Sequence, residues 1–477
     1  MTSHVTAQGV APPRLVTVTQ REPFRVVERE GGLVVEKSTG GLIAALEPAM
    51  REMNGLWISE RPQVGLDDAR LSEAIAALPY AWRSVALDEA TAEGFYLGFS
   101  NGALWPLYHS MLGDAAYHRH HWRAYRAANE RFVDVVAGAM RDDDIVWVHD
   151  YQLSLVPGLL RAQGMGARAR IGFFLHIPFP PVDLFRTLPW GQQILEGMLG
   201  ASIIGFHVAE YAQNFMECVE TILGLRCDRL RGRITIGDRF VNVRAIPISI
   251  DTRRIHDEVA KSDVQARAAA LRRDVTGEKL IVGVDRLDYT KGILDRLRAL
   301  ETFFERYPHR RGEVSMVQVA VPSRTGLGTY QSLREDIERQ VGHINGLFAR
   351  PGWTPVTYMF RSLPFDELVA LYLAADVGLV TPLRDGMNLV AKEYVAAHVA
   401  APGVLVLSEL AGAAQQLTEA LLVNPYDVDA IADAVEQALS MPREQQARRM
   451  RTLNAKIARF DVAHWVSSFL DEIQYTE

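Results

Sequence analysis

Cysteine is scarce in this chain: only Cys218 and Cys227 occur among 477 residues. Two thiols cannot form a disulfide framework, so a reducing cytoplasm is the expected compartment. Their spacing is not that of a metal site, and both read as core or surface thiols. No apolar run reaches the roughly 18 residues of a membrane span. The first residues, 1–13, lack an apolar signal core and read as a disordered tail. Positive charge is not in excess either. Lys and Arg number 51 against 58 Asp and Glu, a net charge of −7, which argues against a nucleic-acid partner while leaving room for a local basic cleft. No Gly-x-Gly-x-x-Gly fingerprint is present, which sets aside a dinucleotide-binding dehydrogenase. A Gly-x-Ser-x-Gly elbow, a P-loop lysine motif, a Cys–His nucleophile and a clear metal motif are missing as well.

What remains is an ordinary globular composition, 48% apolar and 23% charged, long enough for two or three domains. Short apolar runs alternate with longer helical patterns. Residues 15–19, 145–149, 171–176, 202–206 and 241–246 read as strands of a first half. Residues 279–284, 314–321, 356–360, 377–380 and 404–407 read as strands of a second. Helices are expected over 117–140, 253–273 and 331–341, and a glycine-containing hairpin or loop over 31–42. This rhythm predicts an α/β chain of parallel sheets covered by helices on both faces. Ten strands with so many crossovers are too many for one open sheet, so two doubly wound domains are the natural solution. The expected organisation is the tail, a first domain over 14–248, a second over 249–455 and a terminal segment, 456–477. In that last segment Trp465, Phe469 and Ile473 recur at helical spacing, as expected of a helix returning to the first domain.

Ligands of open α/β sheets bind beyond the carboxyl ends of strands. Two such domains would enclose a cleft, and Arg21, Asp150, His176, Arg286, Arg324 and Asp385 all fall at expected strand ends. The most informative segment is Thr381-Pro-Leu-Arg-Asp-Gly-Met-Asn-Leu-Val-Ala-Lys-Glu393. A buried strand leads into it and helical spacing leads out. Strand, sharp turn and helix start aim free backbone N–H groups at an anion. Asp385 and Glu393 could accept hydroxyl hydrogen bonds, so the segment suits a sugar joined to a phosphate.

Arg286 and Lys291 flank a second turn, ahead of Gly292. They could neutralise a leaving diphosphate, or they could be surface cations bonded to Asp285 or Asp288. His176 ends a buried strand before Pro178, where a satisfied core histidine is the more common reading. Asp150 either accepts sugar hydroxyls or caps the helix that follows. Tyr96 and Trp105 lie in an aromatic-rich helical turn and read as core on composition. His118, His120 and His121 lack the i, i+4 pairing of helical metal sites and read as a solvated face.

Together these motifs resemble the trehalose-6-phosphate synthase family of retaining glycosyltransferases. The resemblance runs from Leu15 to about Phe469. Its most specific pieces are Phe173–Pro180, Asp285–Gly292, Gln340–Gly346, Thr381–Tyr394 and Leu422–Tyr426. It implies a GT-B fold, two Rossmann-like domains, and transfer of glucose from a nucleotide-diphosphate glucose such as UDP-glucose to glucose 6-phosphate. On that resemblance Arg286 and Lys291 match the cations on the donor diphosphate, and Glu393 the carboxylate on the ribose. Asp385 with the backbone of Gly386, Met387, Asn388 and Leu389 matches the donor-sugar contacts. His176 matches a residue at the donor glucose, and Gly40 and Gly41 a loop over the donor. Asp150 matches an acceptor-sugar contact, and Arg21, Tyr96, Trp105 and Arg324 the acceptor-phosphate and pocket residues. Neither cofactor nor metal is implied: the two cations carry the diphosphate charge, and the leaving phosphate deprotonates the acceptor hydroxyl. Partners would be the two substrates, with homo-oligomerisation open and neither nucleic acid nor membrane involved.

The acceptor side departs from the family pattern. The first strand usually ends in Ser-Asn-Arg-Leu-Pro; here it reads Thr19-Gln-Arg-Glu-Pro23. Where a second tryptophan often follows Trp57 by three residues, this chain has Glu60. The Arg-Glu-Pro string looks more like glucosylglycerol-phosphate synthases, which use glycerol 3-phosphate. A non-catalytic sugar-phosphate sensor is a third reading, opposed by the intact Arg286, Lys291, Asp385 and Glu393.

Overall fold

A computed structural model describes residues 13–29, 32–37, 41–61, 75–76, 78–167, 169–274, 277–323 and 328–474. The chain divides into two compact units. Residues 1–246 with 466–477 make the first, and 247–465 the second.

In the first unit the strands are β1 (Leu15–Val18), β2 (Phe24–Arg29), β3 (Gly32–Lys37), β4 (Leu56–Glu60), β5 (Ala81–Val85), β6 (Ile145–His149), β7 (Arg170–Phe174), β8 (Ile203–Phe206), β9 (Cys227–Asp228), β10 (Arg233–Ile236) and β11 (Arg239–Ala245). The main sheet runs β5-β4-β1-β6-β7-β8-β11-β10-β9 among the described residues, and β2 pairs with β3 as a separate hairpin. From β5 to β11 all pairs are parallel. Strands β1, β6 and β8 are buried along their whole length, as continuous Val/Ile/Leu-rich runs require when helices cover both faces. The expected parallel sheet carries an antiparallel extension at one edge. There β10 runs antiparallel to both β11 and β9. The cause is local: Gly237, at φ +56, lets two residues turn the chain straight back between β10 and β11.

The second unit holds β12 (Lys279–Arg286), β13 (Val314–Val321), β14 (Val356–Met359), β15 (Val377–Val380), β16 (Val404–Ser408) and β17 (Leu421–Val423). Its order is β14-β13-β12-β15-β16-β17, parallel throughout. Numbered from β12, this is the doubly wound order 3-2-1-4-5-6. The parallel strands of the first unit, numbered from β1, begin the same way. Each sheet therefore has a switch point where its strand order reverses, between β1 and β6 in one unit and between β12 and β15 in the other.

Several expected elements shift. The strand placed over 171–176 ends at Phe174: Leu175 N still donates to Gly205 O of β8, but His176 N turns away to Asp150 Oδ1. The helix placed over 253–273 is two, Thr252–Val259 and Ser262–Asp274. Asp251 caps the first, accepting from Arg254 N at 3.1 Å, and the second begins at Ser262. Of the glycine-containing stretch, Gly32 and Leu33 belong to β3, whereas Gly41 and Leu42 open a helix, Gly41–Glu52. The expected tail over 1–13 falls almost wholly outside the described residues.

The helix Arg119–Ala139 turns Trp122, Tyr125, Phe132, Val133 and Val136 inward, at the spacing a sheet-covering helix needs. The last helix, Val462–Gln474, buries Trp465, Phe469 and Ile473. Phe469 stacks on Trp147 of β6 with ring centroids 4.2 Å apart and planes 3° from parallel.

Candidate active site

In the second unit the switch point is lined by two turns. The first follows β12. Arg286 is its last strand residue, and a short 3₁₀ turn, Tyr289–Lys291, comes next. Asp288 shapes that turn by accepting from Thr290 N at 3.0 Å, Thr290 Oγ1 at 2.8 Å and Tyr330 OH at 3.0 Å. Gly292 then takes φ +62, and a Cβ there would lie 2.4 Å from Thr381 O. Only glycine fits both constraints. It starts the helix Ile293–Arg306 directly beside the second turn.

That second turn follows β15. Asn388, at φ +77, caps the helix Leu389–Ala397 by accepting from Ala391 N at 3.1 Å. Its amide donates to Asp385 Oδ2 at 3.0 Å, and the Lys291 ammonium donates to the same oxygen at 2.6 Å. Lys291 is only 7% exposed. It is thus no surface cation, and its carboxylate partner is neither Asp285 nor Asp288 but a residue 94 positions away. A buried ammonium therefore sits at the turn that opens a helix N-terminus, the kind of place that holds an anionic group. The turn is also braced from behind. Gly412 N donates to Asp385 O at 3.1 Å and Ala413 N to Met387 O at 2.8 Å.

Beneath both turns lies Arg296, fully buried. It donates to Asp285 Oδ2 at 2.5 Å, Gln318 Oε1 at 3.1 Å, Thr381 Oγ1 at 3.1 Å and Lys291 O at 3.3 Å. One guanidinium therefore ties β12, β13 and both turns together. Sequence reasoning missed it. The available signal was an arginine on the core face of an amphipathic helix. Glu393 accepts from Tyr372 OH at 3.1 Å. Burial raises its pKa, with the Tyr372 bond and Arg254 working the other way.

The first unit gathers its candidates at the other switch point. Asp150 follows β6 at φ +73 and ψ 166, a strained backbone conformation that glycine normally occupies. Its carboxylate accepts from Tyr151 N at 3.0 Å and from His176 N at 3.2 Å, so it does cap the following turn and also fixes the chain leaving β7. The His176 ring pairs with His149, Nε2 to Nδ1 at 3.1 Å, and lies 5.3 Å from the His207 ring. Burial drives the His176 pKa down to about 3, and burial followed by His176 drives that of His149 well below the usual range. His176 is therefore a neutral imidazole near pH 7, fit for hydrogen bonding rather than for delivering a proton.

Arg21 follows β1 and donates from Nη2 to the Tyr96 hydroxyl. Tyr96 sits in an eleven-residue π-helix, Gly94–Leu104, a rare form that tends to mark functional sites. Trp105 is packed into the core, its ring 4.2 Å from that of His109 and 5.8 Å from that of Tyr151. Gly40 and Arg324 lie outside the described residues. Among the described residues no group of three or more His, Cys, Asp or Glu is placed to hold a metal ion. No helix there is long and apolar enough to cross a membrane.

This geometry has solved counterparts. An E. coli trehalose-6-phosphate structure bound with UDP-2-fluoro glucose matches with a TM-score of 0.87 at 34% identity, over 97% of this chain and 99% of that one. A trehalose-phosphate synthase from Burkholderia xenovorans in complex with glucose-6-phosphate matches with a TM-score of 0.87, also at 34% identity, over 97% and 100%. Among curated proteins, the trehalose-6-phosphate synthase of Mycolicibacterium smegmatis is 42% identical over 99% of this chain and 94% of its own length. That of Mycobacterium avium is 44% identical over 93% and 92%. The fold is that of a GT-B glycosyltransferase, two doubly wound units each with its own switch point. Residues 13–475 match glycosyltransferase family 20, and the chain belongs to that family, the trehalose-6-phosphate synthases.

Proposed function

We propose that this chain moves glucose from UDP-glucose to glucose 6-phosphate, with retention, giving α,α-trehalose 6-phosphate and UDP. The observation that carries the reading is the turn holding Lys291, Asp385 and Asn388 at the N-terminus of a buried helix, at the switch point of the second unit. Relatives that bind UDP-2-fluoro glucose and glucose-6-phosphate support the choice of substrates.

In this reading Arg286 and Lys291 take the donor diphosphate, and Gly386 to Leu389 offer backbone N–H groups to it and to the sugar. Asp385 positions Lys291 and accepts a sugar hydroxyl, and Glu393 accepts from the ribose. Arg21, with Arg324, takes the acceptor phosphate, while Tyr96 and Trp105 form the pocket and Asp150 accepts from the acceptor sugar. Neutral His176 hydrogen-bonds the donor glucose.

As the glycosidic bond to phosphate breaks, negative charge grows on the leaving oxygen. Two fixed cations stabilise it there, more in the transition state than before. The same phosphate oxygen takes the proton of the incoming hydroxyl on the face it leaves. The new bond then forms with the original stereochemistry.

A second reading, with glycerol 3-phosphate as acceptor, is favoured by one observation: Gln20 and Glu60 form a polar pair at the ends of β1 and β4. Incubation with UDP-, GDP- or ADP-glucose and either acceptor, followed by product identification, tests both. Trehalose 6-phosphate is the expected product. Product from glycerol 3-phosphate alone overturns the first reading, and no nucleotide release with any pair overturns both.

A further inference from the structure

The ends of β1 and β4 carry a polar pair that leaves hydrogen-bonding capacity unused. Backbone pairing to β4 continues past the end of β1: Thr19 N donates to Ile58 O at 3.0 Å and Glu60 N to Gln20 O at 3.1 Å. Gln20 and Glu60 therefore sit side by side, and Gln20 Nε2 donates to Glu60 Oε2 at 2.7 Å. Glu60 is 9% exposed. Its carboxylate takes that single hydrogen bond among the described residues. Gln20 Oε1 is buried with no partner among them. A pair built only to hold two strands together would satisfy itself. This one keeps two acceptor oxygens in reserve, one on the amide and one on the carboxylate, suited to O–H donors from a ligand.

The neighbourhood points the same way. Arg21 is the next residue after Gln20, and its backbone is held by Thr19 Oγ1, which donates to Arg21 O at 2.7 Å. Trp57 Nε1 in turn donates to Thr19 Oγ1 at 2.8 Å. The turn bearing Gln20 and Arg21 is thus fixed by β4, at the carboxyl ends of parallel strands where open α/β sheets bind ligands.

We infer that Glu60, braced by Gln20, is a specificity-determining residue that accepts hydroxyl hydrogen bonds from a polyol phosphate whose phosphate is taken by Arg21. The inference rests on the acceptor assignment of the proposed function and adds to it the group that chooses among acceptors. A carboxylate there rewards acceptors with a hydroxyl at the right distance from the phosphate. An acceptor lacking one leaves the second oxygen of that carboxylate without a donor.

The test uses the full chain with saturating UDP-glucose and either glucose 6-phosphate or glycerol 3-phosphate, in wild type, Glu60→Gln, Glu60→Ala and Gln20→Ala. Glu60→Ala should raise the KM of the preferred acceptor about tenfold or more. The kcat and the UDP-glucose KM should stay within about twofold. The ratio of kcat/KM between the two acceptors should change by a similar factor. Glu60→Gln, which keeps one accepting oxygen, should fall between wild type and Glu60→Ala. Calorimetric binding of glucose 6-phosphate should weaken in the same order. If Glu60→Ala does not fold, Glu60→Gln and Gln20→Ala decide. Acceptor KM values and ratios within about twofold of wild type in the folded variants overturn this inference and leave the proposed function intact. A wild-type protein that binds and uses neither acceptor overturns both.

Discussion

Gly412→Ala places one methyl group behind the anion-holding turn, and the structure fixes what it must do. A Cβ at Gly412 would lie 2.0 Å from Gly386 O, 2.9 Å from Gly386 C and 3.2 Å from Met387 Cα. A carbon rests against a carbonyl oxygen at about 3.3–3.6 Å, so one side must retreat by about 1.3 Å or more. Both sides are backbone, so no side chain can swing away. Relief must come from Gly412 N to Asp385 O and Ala413 N to Met387 O, the bonds that brace the turn. The Asp385–Leu389 turn therefore shifts or loosens. With it move the carboxylate that holds Lys291 and the N–H groups proposed for the donor.

A displacement of about 1 Å at a reacting centre costs about a hundredfold in rate. We expect kcat/KM for UDP-glucose to fall by about that factor, with the acceptor KM changed less than about threefold. Two weakened buried hydrogen bonds should also cost about 2–4 kcal/mol of stability. Steady-state kinetics with each substrate varied in turn, together with urea melts, measures both effects. A variant with kcat/KM within about threefold of wild type and an unchanged midpoint would refute the packing argument.

Lys291→Ala should lower kcat by about 10²–10³-fold with little change in the acceptor KM, since the ammonium is assigned to the leaving group; stopped assays of UDP release measure it. Arg296→Met leaves Asp285 buried without its cation and should cost about 3–5 kcal/mol in urea unfolding, with much of that restored by pairing it with Asp285→Asn. Glu60 gives a stability signature in acid. Burial, opposed by the Gln20 bond and assisted by Glu22, lifts its pKa from 4.5 to about 6. The folded protein therefore prefers the protonated acid, an advantage present below about pH 4.5 and lost as pH rises through 6. Glu60→Gln should flatten the stability–pH curve across that window by about 2 kcal/mol, read by denaturant titration at each pH.

Most strands legible in the sequence are buried on both faces, although β11 and β14 are only partly buried and are legible too. β13 and β15 have the bounds their apolar runs predict. β4 escapes notice because Ser59 and Glu60 interrupt its apolar run, although all five residues are buried. β5 escapes because it alternates exposed and half-buried positions, and β17 because it has three residues. The π-helix is invisible to periodicity, since aromatic residues there pack in any helical form. Among site residues, Lys291 and Asp385 each stand out in a recognisable turn, but no spacing rule joins residues 94 apart. His149 looks like the end of a strand until its ring meets His176. Gly412 looks like any loop glycine.

The sequence by itself determined the alternation of strand and helix and the two anion-ready turns, because periodicity, glycine and capping residues act over a few neighbours. It also carried the family, since those turns are contiguous words. Only the tertiary structure decided which strands lie side by side, and so where each sheet reverses its order. It also decided that Lys291 meets Asp385, that Arg296 ties the turns together and that Gln20 meets Glu60. Such pairings are made by packing between distant segments, and the free energy that selects them is shared across the core rather than encoded at any one position.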